Sequence, residues 1–421
     1  MMLYTNLVGY LHRAPDHTSY FEERFSLKMV AILEETGKNE PIATAEITTV
    51  AAVTEKNLAK SRQGDEEAEA LFALASFAAH GSVPPDSLRH LGAAKNPQLR
   101  LMSQIYDGAK LTSDQVRDLE AKITDPDFAF RMALGQARQR AGILRPYQGV
   151  VSEGEIGALE VGMFLIGMAT LLGICVLITY AAARASGHLK PLGHPAGTVT
   201  GGEADALGGM AALLLGGYLL IGTVITRMSG AFATRGPLMN AIPGVVAIGL
   251  TLIAWSIAPL RGRLGLKNMK LSHCVLWGVG AAVANLPIVF TVMILSLKLM
   301  PGLPMPEHPI ENLLVGPRSG WMVLSLFFLA SIEAPIFEET LFRGIFQPAL
   351  AAIVKRPWLS GVITSFLFAS IHPTGVPAWP ALALIGGMSV FLTYQTRSIV
   401  PSMIMHATHN ALTLAVGLLL T

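Results

Sequence analysis

The sequence predicts an all-α protein: a polytopic membrane helical bundle of about eight spans, preceded by a mostly helical, water-facing domain. Three observations carry that expectation. The 421 residues are 52% hydrophobic and only 14% charged, with a mean hydropathy of +0.49, too apolar for a water-soluble chain of this length. Charge is divided unevenly, with 17 Lys+Arg and 19 Asp+Glu in residues 1–150 against 14 and 10 in residues 151–421. From residue 151 onward, apolar runs approaching the ~20 residues that cross a hydrocarbon core follow one another. Residues 1–150 and 151–421 are therefore read as two domains.

The first domain reads as helical. Residues 65–79 predict an amphipathic helix with acids in its first turn, where the helix dipole favours them. Thr112 and Gln115 have capping-box spacing ahead of a helix over 116–123. Pro126 follows a break at Thr124 and Asp125 and is placed to start the next helix, 127–140. No cluster of catalytic residue types occurs here, which leaves a helical interaction or regulatory module whose partner the residues do not reveal.

The membrane domain begins with candidate spans at 161–183, 206–225, 238–258, 272–297 and 321–337. Further apolar segments at 346–354, 359–371, 381–394 and 399–420 are interrupted by Pro357, Pro373, Pro377 and Pro380. Short, broken segments of this kind suit helices around a hydrated cavity. A net charge of +2 says nothing about nucleic acid, but no clustered basic stripe is present, and no nucleic-acid partner is expected. Cys175 and Cys274 lie in apolar spans and read as small buried hydrophobes. The first ten residues lack the charged start and apolar core of a signal peptide, which favours a cytoplasmic N-terminal domain. Arg261, Arg263, Lys267 and Lys270 favour the cytoplasm for their loop as well. Three spans separate the two regions, so the two votes conflict.

Ionisable residues inside apolar spans mark function by default, because burying them unpaired costs several kcal/mol. The richest stretch runs from Glu333 to Gly344. On a helix only residues three or four apart meet, so Glu339 faces Arg343 as a pair while Glu338 points elsewhere. Glu338 is left in apolar surroundings, which suits a general base. His372 stands before Pro373, where a helix ends, and His406 shares a face with Asn410 in the last span. Glu333 and His409 have no role legible from spacing, and Pro335 predicts a kink.

Glu338-Glu339-x-x-x-Arg343, Phe368-x-x-x-His372 and His406-x-x-x-Asn410, in that order over roughly residues 320–421, resemble the CAAX prenyl protease and bacteriocin-processing family of intramembrane endopeptidases. The resemblance implies that Glu338 and His372 activate the hydrolytic water. It implies that His406 and Asn410 stabilise the oxyanion, and that Glu339 with Arg343 supports the site. It further implies a membrane-associated peptide or protein substrate met within the lipid bilayer, and a multi-pass location in a bacterial cell membrane. Either no cofactor is needed, or Zn2+ is held by Glu338, His372 and His406; the chain has no His-Glu-x-x-His, so no ready-made ligand pair accompanies a base. Two other functions use the same residues. A proton-coupled transporter would relay protons through them, although its polar groups would be expected in two matched halves rather than the last quarter. A non-catalytic scaffold would use the bundle to bind membrane partners.

Overall fold

The structure is a computed structural model that describes residues 20–36, 41–189, 238–256, 264–300 and 320–420, apart from a few single positions within them, together with short pieces between 192 and 217. Arg261, Arg263 and Pro373 fall outside the described residues, as does half of the expected span at 206–225. Among the described residues the chain is helical throughout, with no β-strand. Two compact units emerge, one mainly of residues 12–163 and one mainly of residues 164–418.

Among the described residues the first unit contains seven helices: α1 (Phe21–Thr36), α2 (Pro41–Leu58), α3 (Glu66–His80), α4 (Pro85–Ala93), α5 (Pro97–Tyr106), α6 (Ser113–Ala121) and α7 (Phe128–Arg140). Helix α3 is central rather than amphipathic, being buried continuously from Ala68 to Ser76. Its alanines explain this, because small side chains admit neighbours on every side. Asp65 caps its first turn by accepting from the Glu67 and Ala68 amides, and Gly81 ends it at φ +71°. Thr112 and Gln115 form the reciprocal capping box their spacing predicts. At α7 the sequence expectation shifts by two residues. Asp127 is the cap, accepting from the Phe130 amide at 2.8 Å, and Pro126 lies outside the helix.

Helix α8 (Glu153–Ala185) runs from the first unit into the second, which continues with α9 (Leu238–Ser256) and α10 (Leu271–Leu299). There follow α11 (Gly320–Phe328), α12 (Ala334–Glu339), α13 (Gln347–Val354), α14 (Pro357–Ser370), α15 (Trp379–Thr396) and α16 (Val400–Leu420). Four stretches are long and apolar enough to cross a membrane: Glu153–Ala185, Leu271–Leu299, Gly320–Val354 and Val376–Thr396. The protein is thus an integral membrane protein, all-helical and with four such candidate spans among the described residues. Helix α14 is too short to be counted among them, since 14 residues reach only about 21 Å against a core of about 30 Å.

Close helix approaches hold this unit together. A Cβ at Gly173 of α8 would collide with the Val283 carbonyl oxygen, and one at Gly278 of α10 would stand 2.6 Å from Ile404. Small residues at such crossings are how membrane helices pack without a hydrophobic drive between them. The second contact seats α16 against α10, and the Ile399 amide bonds the Leu264 carbonyl at 3.0 Å just before α16 begins.

The stretch from Gly320 to Val354 is not a plain α-helix. A wide, π-type turn at Leu329–Glu333 precedes α12 and a second, Thr340–Phe346, follows it. The kink expected at Pro335 therefore takes the form of a bulge. In the wide turn the Ala334 amide bonds back to Leu329, five residues away, and so passes over Ala330. The next residue in that register is Pro335, which has no N–H. Ala330's carbonyl is thereby left without a backbone donor.

Candidate active site

The two wide turns bracket α12 and place its last two residues, Glu338 and Glu339, against α16. Glu339 and Arg343 are both fully buried, with Nη1 of the arginine 3.2 Å from Oε1 of the glutamate. Arg343 also donates from Nη2 to the Gly386 carbonyl of α15 at 2.9 Å. Its guanidinium carbon lies 4.8 Å from the centre of the Phe368 ring. Glu339 Oε1 accepts in addition from Ser389 Oγ at 3.2 Å and meets His406 Nδ1 at 3.1 Å.

His406 stands between the two glutamates. Glu339, ion-paired to Arg343, offers acceptors only, so Nδ1 of His406 carries the proton and donates it. Nε2 is then the free lone pair, and it faces Glu338 Oε2 at 3.8 Å. That separation exceeds a hydrogen bond but admits a water that bonds to both. Glu338 Oε2 has no hydrogen-bond partner among the described residues.

His372 lies two residues past the end of α14, with Nδ1 2.7 Å from the Phe368 carbonyl oxygen. A carbonyl only accepts, so this bond also fixes the tautomer and leaves Nε2 with its lone pair. Phe368 is the hub of the assembly. Its ring centre lies 4.7 Å from that of His372 and 5.6 Å from that of His406. The structure thus joins Glu338, Glu339, Arg343 and His406 by direct contact and His372 through Phe368.

Asn410 lies one turn beyond His406 on α16. Its Nδ2 donates to the Ala330 carbonyl at 2.7 Å. This is the oxygen that the bulge and Pro335 leave without a backbone donor, so the amide ties α16 to the turn ahead of the glutamates. Glu333 is buried at the end of that turn, and His409 Nδ1 has no hydrogen-bond partner among the described residues. Sequence reasoning missed Phe368 as a hub, Ser389 and Gly386 as partners, and the bond from Trp255 Nε1 to Thr340 Oγ1 at 3.0 Å. Apolar rings and backbone carbonyls carry no signal of their own in a sequence.

The donor chemistry of Glu338, His372 and His406 suits zinc. Among the described residues, no three His, Cys, Asp or Glu side chains form a group that could hold a metal ion.

Residues 320–412 match the family model described as type II CAAX prenyl endopeptidase, Rce1-like. No curated protein matches the chain, and no solved structure does.

Proposed function

With residues 320–412 an Rce1-like domain of the CAAX prenyl protease family, we propose that the chain is an intramembrane endopeptidase in which Glu338 and His406 hold the hydrolytic water. The observation that carries this reading is the 3.8 Å gap between Glu338 Oε2 and His406 Nε2, two proton acceptors aimed at one point. A water there donates one proton to each. Glu338 takes a proton as the water attacks a peptide carbonyl, and passes it to the leaving amine. Glu339 holds the His406 ring and is itself held by Arg343, so the imidazole keeps one tautomer throughout. His372, whose Nε2 is free, is the second candidate to orient the water. No step passes through a metal. The substrate is a membrane-associated peptide or protein.

Cleavage of a membrane-peptide library by the purified full-length chain tests the proposal, with and without chelator. Glu338→Gln keeps the shape but cannot accept the water's proton, and should lower the rate about 10²- to 10⁴-fold, the usual worth of a positioned base. Wild-type activity should survive verified removal of metal. Cleavage by Glu338→Gln at the wild-type rate would falsify the assignment, and activity lost on stripping and restored by zinc would replace it with a metalloenzyme.

A further inference from the structure

Away from the carboxylates, a cleft of about 1360 Å³ opens along α13, α14 and α15. It is larger than the roughly 300–1,000 Å³ of ordinary small-molecule sites. Short side chains line its length, among them Ala351, Gly361, Ser365, Ala383 and Gly387. Glycine lets α14 and α15 close on one another, since a Cβ at Gly361 would meet Val390 at 2.8 Å and one at Gly386 would meet Ser365 at 3.1 Å. These two contacts make the helices antiparallel. Lys355, Trp358 and Tyr394, which also line the cleft, therefore stand together at one end, and Pro380 marks the other.

The chemistry of that end is specific. Among the described residues that line the cleft, Lys355 is the one charged side chain, and Arg356 is exposed beside it. Lys355 has φ +55°, a left-handed position where a helix end ordinarily takes glycine or asparagine, so the backbone does not call for a lysine there. Tryptophan and tyrosine beside basic residues are the signature of the headgroup level of a bilayer. From Tyr394 to Pro380 the cleft follows α15 for about 21 Å, more than the roughly 15 Å of hydrocarbon in one leaflet. On its outer side Trp358 and Phe366 are 66% and 54% exposed.

We propose that this cleft is a lipid site that takes one anionic phospholipid, its phosphate at Lys355 and Arg356 and one acyl chain along α14 and α15. Charge decides the occupant. A purely apolar partner would leave the lysine unanswered, and a neutral headgroup would answer it only in part. The site is separate from the carboxylates and does not depend on the proposed hydrolysis.

The test is native mass spectrometry of the full-length chain in detergent, titrated with phosphatidylglycerol or with phosphatidylcholine of the same acyl chains. Phosphatidylglycerol should be retained preferentially. Lys355→Gln should weaken its retention about five-fold, the worth of one basic residue at a membrane surface. Lys298→Gln, at the far end of α10, should leave retention unchanged. Ala383→Phe, which fills the cleft, should lower retention of both lipids. Equal retention of the two lipids by the wild type overturns the proposal, as does retention indifferent to Lys355→Gln. A dimer peak that Ala383→Phe abolishes would assign the cleft to a second copy of the chain. A farnesylated peptide that displaces phosphatidylglycerol would assign it to substrate. Either result overturns the proposal too.

Discussion

Arg62 and Arg343 do the same thing in two different solvents. Each stacks on a phenylalanine, Arg62 at 4.2 Å from the centre of Phe72 and Arg343 at 4.8 Å from that of Phe368. Each meets carboxylates, Arg62 reaching Glu69 at 3.2 Å and Asp86 at 2.5 Å, and Arg343 reaching Glu339 at 3.2 Å. The difference is access to water. Asp86 is 40% exposed at its side chain, whereas both members of the Arg343 pair are at 0%. Losing Arg62 leaves Asp86, which water can reach, and a buried Glu69 that keeps His90 as a partner at 3.2 Å, while losing Arg343 strands a carboxylate in low dielectric. A pair near water is worth little and its loss is mild; a pair without water is weak evidence of stability, yet breaking it is severe.

That contrast is broken or sharpened most strongly at Arg343. Arg343→Met should destabilise the membrane unit by about 3–5 kcal/mol, the usual result of leaving one buried charge unpaired. Thermal unfolding and membrane abundance of the full-length protein measure it. Arg343 Nε and Nη1 have no hydrogen-bond partner among the described residues, so the intact pair is imperfectly satisfied. Replacing both members, as in Glu339→Leu with Arg343→Met, should therefore recover part of the lost stability, although not the activity, because His406 Nδ1 loses its acceptor. Should Arg343→Met melt with the wild type, the buried pair is no more than a surface one in disguise.

A smaller effect is expected at Asn410, where the buried group is neutral. Asn410→Ala should cost about 1–3 kcal/mol by leaving the Ala330 carbonyl without a donor. Pro335→Ala supplies the backbone N–H that the wide turn lacks, and should rescue much of both the stability and the cleavage rate of Asn410→Ala. An oxyanion role for Asn410 makes the opposite forecast, since no backbone donor at residue 335 replaces an amide aimed at substrate. The double variant decides between them by its cleavage rate.

These residues also mark how far the sequence could be read. Glu339 and Arg343 were legible because their spacing puts them within reach on any helical turn, and Thr112 and Gln115 because a capping box is a local pattern. The place of Asp127 and the interior position of α3 were not, since each depends on what packs alongside. The candidate site divides in the same way. His406 and Glu338 stood out as polar groups among apolar neighbours, but their facing geometry joins residues 68 positions apart, through two wide turns that no periodicity announces. Pro335 was visible as a breaker, yet its consequence, an orphaned carbonyl met by a side chain 80 residues away, is a tertiary event.

The smallest expected effect lies at the water-facing end of the comparison. The hydrogen bond from Arg62 holds the Asp86 carboxyl below its ordinary value. A depressed carboxylate contributes stability above its unfolded value of about 3.9, and that contribution is lost as pH falls through the lower, folded value. Asp86→Asn should therefore be slightly less stable than the wild type at neutral pH, by less than about 1 kcal/mol after solvent screening. The two should converge in acid. Unfolding of the full-length protein followed from neutral pH down to about pH 3 reads the difference, and common background titration cancels between the two chains. A gap between variant and wild type that stays constant, or widens, as the pH falls means that Asp86 acts through packing against Arg62 and not through charge. Arg62 would then be anchored by Phe72 and Glu69, and its likeness to Arg343 would rest on the stacked ring more than on the ion pair.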